Sequence, residues 1–257
     1  MLLMNLNMFS LQGRNALVTG SGTGLGAGIA VALAEAGANV MVHDRREGGI
    51  EETCAAVRAA GARAAVAMGD VADPKVCESI VETTVREFGS IDILVNNAGI
   101  IRRAPAAEFS LQDWNDVIEI NLNAVFRLSQ MAGRHMLAQG RGKIINIASL
   151  LSFQGGILVP AYAAAKGAVA QVTKAMANEW AQKNVNVNAI APGYMSTDNT
   201  AALRADPVRS QAILDRIPAG RWGTPRDVGG TAVFLASPAS DYVNGHVLLV
   251  DGGWLAR

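Results

Sequence analysis

Short apolar, β-rich runs alternate with helix-length stretches along the whole chain, and this alternation limits the fold more than any other feature. Residues 15–19, 39–43, 64–68, 91–95, 143–148, 185–191 and 247–250 each read as a strand. Residues 27–36, 47–60, 74–88, 111–139, 162–183 and 225–237 fall between them with the length, period or end signals of helices. Strands joined through helices lie parallel, with helices on both faces of the sheet. The expectation is an α/β fold, a doubly wound, seven-stranded parallel sheet in a single domain spanning residues 1–257. No repeat, low-complexity tract or linker interrupts it. Residues 194–218 depart from the pattern, being polar and irregular, and read as an inserted lid.

The first strand runs into Gly20-Ser21-Gly22-Thr23-Gly24-Leu25-Gly26 and then an alanine-rich helix that stops at Gly37. Glycines let the backbone approach a diphosphate, and a helix start offers unpaired N–H groups. Asp44 closes the second strand, where a carboxylate suits a ribose 2′-hydroxyl and repels a 2′-phosphate. The adjoining Arg45 and Arg46 could instead accept that phosphate. The fourth strand ends in Asn96-Asn97-Ala98-Gly99, small residues that leave room for a flat ring. Asn121 stands in the middle of a helical stretch, where its side chain competes with the backbone ladder.

Ser149 follows the fifth strand, at the edge where open α/β sheets bind ligands. Tyr162 and Lys166, at i and i+4, share one helix face. An ammonium beside a phenol favours phenolate and would lower the tyrosine pKa from about 10. Such a pair can exchange a proton with a hydroxyl or carbonyl oxygen.

Composition removes other classes. Lys+Arg and Asp+Glu are both 22, so no net field draws the chain to nucleic acid or an anionic membrane. Cys54 and Cys77 are the only cysteines, and no Cys/His cluster has metal spacing, so no metal is expected. The apolar start, residues 1–8, lacks the basic region and cleavage site of a leader, and no run approaches a membrane span. A cytoplasmic protein is expected.

Taken in order, Thr19-Gly20-x-x-x-Gly24-x-Gly26, Asp70, Asn96-Asn97-Ala98-Gly99, Asn121, Ser149, Tyr162-x-x-x-Lys166 and Pro192-Gly193 resemble the short-chain dehydrogenase/reductase family across essentially the whole chain. The resemblance implies a Rossmann-like fold and a nicotinamide cofactor, NAD by the lean of Asp44, with NADP possible. Tyr162 would be the general acid/base, Lys166 would tune it and hold the nicotinamide ribose, and Ser149 would bond the substrate oxygen. Asn121 would bind a relay water. Gly20, Ser21, Gly24, Leu25 and Gly26 would line the phosphates and ribose. Asp70 and Val71 would flank the adenine, and Asn97, Ala98 and Gly99 the adjoining ribose. Pro192, Gly193, Met195 and Thr197 would meet the carboxamide side.

Longer runs, including residues 100–103, 152–156, 213–223 and 251–257, resemble those of family members that act on deoxy-keto sugar acids. Such a substrate carries a carboxylate, for which Arg102 or Arg103 is the candidate anchor, with Gln154 on a sugar hydroxyl. Alternatives are the same chemistry on gluconate, an alginate-derived keto-uronate, a ketoacyl group or a steroid, and a non-catalytic dinucleotide sensor. A homotetramer is the family expectation, and Trp254 and Leu255 could pack on a neighbour or on their own subunit.

Overall fold

The computed structural model describes residues 6–257, so part of the apolar start read above as no leader, residues 1–5, lies outside it. Strands β1 (Asn15–Thr19), β2 (Asn39–Asp44), β3 (Ala64–Met68), β4 (Ile93–Asn96), β5 (Gly142–Ile147), β6 (Val185–Pro192) and β7 (Val247–Val250) form one sheet. Their order is β3-β2-β1-β4-β5-β6-β7, and every pairing is parallel, as the alternation requires. Chain order reverses between β1 and β4, which opens a crevice at the carboxyl ends of those strands.

The central strands are buried without alternation because both faces are covered. Ala16 and Val18 of β1 join one buried layer with Ile29, Leu33, Val40 and Leu235. Leu17, between them, points to the other layer with Met41, Ile80, Leu94, Leu128 and Ile144. Each such side chain, fully buried, contributes roughly 1.5–3 kcal/mol.

Helices α1 (Gly24–Glu35), α2 (Ile50–Ala59) and α3 (Pro74–Phe88) connect the first strands, and α9 (Pro225–Ala236) packs against α1. Helix α3 has the ends its residues dictate. Asp73 accepts the Lys75 N–H, Pro74 occupies the first turn, and Gly89 turns left-handed at φ +87°. The long helical stretch divides into α4 (Leu111–Ile118), a π turn (Glu119–Asn123) and α5 (Ala124–Gln139), with Asn121 inside the π turn. Helix α6 (Pro160–Trp180) begins at a proline two residues before Tyr162, so the phenol lies in its first turn. Helices α7 (Ala201–Ala205) and α8 (Pro207–Leu214) occupy the segment read as a lid. Among the described residues no helix is long and apolar enough to cross a membrane.

Candidate active site

At the switch point, Gly20 turns the chain at φ +63°, and the Cβ of any other residue at 26 would lie 2.2 Å from the Gly20 carbonyl oxygen. Helix α1 therefore approaches β1 as closely as backbone permits. Its N-cap, Thr23, makes no side-chain capping bond, so the first-turn N–H groups have no side-chain acceptor. These features fit a dinucleotide diphosphate. Leu25 packs partly buried against the layer beneath.

Ser21 joins this turn through its backbone only. Its hydroxyl, expected among the phosphates, is fully buried, donates to the Val18 carbonyl at 2.7 Å and accepts the His43 N–H at 3.0 Å. His43, inconspicuous within the second strand, holds the turn from below. The Gly20 N–H donates to its Nδ1 at 3.3 Å, so the proton sits on Nε2, which donates to the Gly69 carbonyl at 3.1 Å. Burial keeps the imidazole below its ordinary pKa, with Gly69, Asp44 and Asp70 pulling the other way.

Beside it, Asp44 Oδ1 accepts the backbone N–H groups of Arg45 and Arg46, and Oδ2 that of Gly22 at 3.3 Å. Arg45 pairs with Asp70 at 3.1 Å, whose other oxygen accepts the Ala72 N–H. Val71 turns its side chain into the core.

Across the crevice, Asn97 joins β4 to the glycine turn. Its Nδ2 donates to the carbonyls of Thr19 and Gly20, both at 2.9 Å, while its own N–H and that of Ala98 donate to Thr19 Oγ1. Asn96 faces the interior, donating to Ser129 and Asn146, so adjacent asparagines serve opposite sides of one strand end. A Cβ at Gly99 would lie 3.2 Å from Asn121 Oδ1. That oxygen accepts the Ile100 N–H, and Asn121 Nδ2 donates to the Ile100 carbonyl, both at 2.8 Å. Both ends of the Asn121 amide thus engage Ile100, and the π turn supplies the local disturbance of the helical ladder expected there.

Ser149 lies two residues beyond β5 rather than at its end. It is the N-cap of a tight turn over Leu150–Ser152, closed by a reciprocal Ser149–Ser152 capping box. Its hydroxyl lies close enough to the Tyr162 phenol to favour the ionised form. Lys166 is 3% exposed and donates to the Ile147 carbonyl at 2.5 Å. Its Nζ stands 5.6 Å from the centroid of the Tyr162 ring.

The electrostatics correct one expectation. Burial pushes the Tyr162 phenol above its usual value, opposed by the Ser149 hydroxyl and then by the Arg103 charge. Lys166 is not what lowers it; burial instead brings the ammonium itself down to about 8.

The two candidate arginines separate. Arg102 Nε is ion-paired with Asp113 at 3.1 Å, whereas Arg103 is exposed and its charge favours the ionised form of the Tyr162 phenol. The loop carrying them is held to the segment before α6 by the Ala104 N–H on the Leu158 carbonyl.

On the carboxamide side, Gly193 lies against Asp251, and a Cβ there would be 2.6 Å from the Asp251 Cα. Met195 is buried and bridges to Gly223, and Thr197 opposes Gly24 across the turn. Ile213 and Ile217, at the far end of the segment read as a lid, pack with Leu150 and Trp254. Trp254 therefore packs on its own subunit. Gln154 meets it too, accepting the indole N–H at 3.3 Å.

Residues 20–255 match the family described as enoyl-(acyl carrier protein) reductase. The chain is 58% identical to a 2-dehydro-3-deoxy-D-gluconate 5-dehydrogenase of Dickeya dadantii, over 99% of this chain and all of that one. An Agrobacterium tumefaciens structure with bound NADP superposes with TM-score 0.92 at 56% identity, covering 98% of this chain and 100% of that one. A gluconate 5-dehydrogenase of Burkholderia cenocepacia, in complex with NADP and tartrate, superposes with TM-score 0.93 at 44% identity, over 98% and 99% of the two chains. With these relatives matched over nearly its full length, the chain belongs to the short-chain dehydrogenase/reductase family and is an NAD(P)-dependent oxidoreductase acting on CH–OH groups.

Proposed function

We propose that the enzyme interconverts a hydroxyl and a ketone on a deoxy-keto sugar acid, 2-dehydro-3-deoxy-D-gluconate at C5. In the reducing direction the ketone, a hydride and one proton give the secondary alcohol. The observation that carries the substrate reading is the end-to-end match to the Dickeya dadantii enzyme, through the loops around the site as well as the cofactor half. The Arg103 charge beside Tyr162 supports it, because a sugar acid brings a carboxylate that a guanidinium binds bidentately.

The bound nicotinamide supplies or takes the hydride. Ser149 and Tyr162 hold the substrate oxygen between two hydroxyls, and Tyr162 Oη delivers or removes its proton. A phenol kept above its usual pKa is protonated at neutral pH and serves as the acid for reduction. Lys166 is a buried donor 5.6 Å from the Tyr162 ring centroid and would hold the nicotinamide ribose. The Asn121 amide is committed to Ile100, so a relay water at this residue would use its backbone. Asp44 favours NAD, and the exposed Arg46 beside it gives a 2′-phosphate a partner, so both dinucleotides are accepted with NADH preferred.

Steady-state turnover on a panel of keto- and deoxy-aldonates, each with NADH and NADPH, tests this. Equal rates across the panel would remove the substrate assignment and leave a broad reductase. In the same assays Tyr162→Phe loses turnover and keeps dinucleotide affinity; a variant as active as wild type would point to a sensor. Both cysteines are free and buried, in keeping with a cytoplasmic enzyme. Exposed Leu111, Trp114 and Phe126 on α4 and α5 support a homotetramer built on these helices, checked by light scattering.

A further inference from the structure

The indole of Trp254 decides which way Gln154 faces. An indole nitrogen can only donate, so the Gln154 amide must turn its oxygen to Trp254 Nε1, at 3.3 Å. The NH₂ group then points away, and among the described residues it makes no hydrogen bond of its own.

Both partners are held independently of each other. The Gln154 backbone N–H donates to the Leu150 carbonyl at 3.2 Å, within the turn that Ser149 opens. Trp254 is 4% exposed, with the Arg216 guanidinium 4.0 Å from its ring centroid and the Tyr194 ring 4.7 Å away. Asp251 accepts the N–H groups of Gly253 and Leu255, which folds the chain end onto this position. The amide thus stands between the Ser149 turn and the lid, with only donors to offer.

We propose that Trp254 is a positioning residue that presents the Gln154 amide to the substrate as a pure N–H donor. The site then selects an oxygen acceptor, a hydroxyl lone pair or a carboxylate, away from the reacting carbon. An ammonium there, which can only donate, is refused. The inference rests on the sugar-acid reading and names one determinant of it.

Trp254→Phe keeps the ring and removes the donor, letting the Gln154 amide rotate. Its KM for the sugar acid should rise roughly five- to tenfold, the scale of one misplaced hydrogen bond, with kcat within about twofold and NADH affinity unchanged. Gln154→Leu should show the same rise, and Trp254→Phe added to it no further loss. Gln154→Glu still accepts the indole N–H but has no donor, so its KM rises whether or not the Trp254 variant folds.

An unchanged KM in Gln154→Glu, or losses that multiply in the double variant, would overturn the proposal. Wild-type protein inert on every aldonate would remove the sugar-acid reading and this proposal with it. Wild-type turnover with an unaffected Gln154→Glu removes the proposal alone.

Discussion

Arg102 and Arg103 are neighbours in the chain with different surroundings. The first is held by Asp113 on α4, and the second is exposed, with a charge that favours the ionised form of the Tyr162 phenol. Arg103→Ala should therefore raise KM for the sugar acid by about tenfold or more, the scale of a charge-assisted hydrogen bond, whereas Arg102→Ala should change it by less than about threefold. Comparable KM values for the two variants would contradict the assignment. The phenol makes a second prediction. Because burial holds Tyr162 protonated through neutrality, ketone reduction should keep its rate from about pH 6 to 7.5, while alcohol oxidation, which needs phenolate, should climb as pH rises toward 10. Initial rates in both directions across that range decide it, and parallel profiles would show that another group carries the proton.

At the scale of elements, the site depends on how closely α1 is drawn to β1. Gly26 permits that approach, since an added Cβ would sit 2.2 Å from the Gly20 oxygen. Gly26→Ala must push the helix start away from the turn, displacing the uncapped N–H groups together. NADH binding, followed by fluorescence titration, should weaken by about tenfold or more, in line with the 1–3 kcal/mol of overpacking. Wild-type affinity would mean that the turn is not where the diphosphate rests. Residues 194–218 behave differently: Ile213 and Ile217 anchor the end of the segment while Arg204, Val208 and Arg209 remain exposed.

For the whole molecule, Lys166 links the site to stability. Its folded pKa of about 8 lies below the unfolded value near 10.5, so the unfolded chain binds more protons between them. This group therefore destabilises the fold fully below pH 8, and the penalty fades as pH rises toward 10.5. Chemical denaturation of wild type and Lys166→Met across pH 7.5–10 should show an upward slope in wild type that the variant lacks; identical slopes would contradict a buried, depressed ammonium. Tyr162 acts in the opposite sense only above pH 10, where its raised pKa makes the folded state the more protonated one.

The parallel, doubly wound sheet and the succession of strands and helices were legible because strands covered by helices leave apolar runs, and glycines and prolines mark the junctions. Less legible was the direction of individual side chains. The inward turn of the Ser21 hydroxyl depends on His43 in the adjacent strand. Arg102 is told from Arg103 by an aspartate on a later helix. The Gln154–Trp254 bond joins residues 100 positions apart. Period and spacing report which face an element buries, not which tip meets which across the assembled crevice.

The imidazole beneath the glycine turn sets an acid limit for the enzyme. While neutral, His43 can receive the Gly20 N–H; once protonated, it would present a hydrogen of its own to that hydrogen, inside a layer that water does not reach. Because its pKa is depressed, the folded protein resists that protonation, and stability is lost from about pH 6.5 downward as the unfolded chain takes up the proton instead. Acid should therefore loosen the grip on the coenzyme at its floor, leaving the Ser149 and Tyr162 hydroxyls in place with nothing correctly seated beside them.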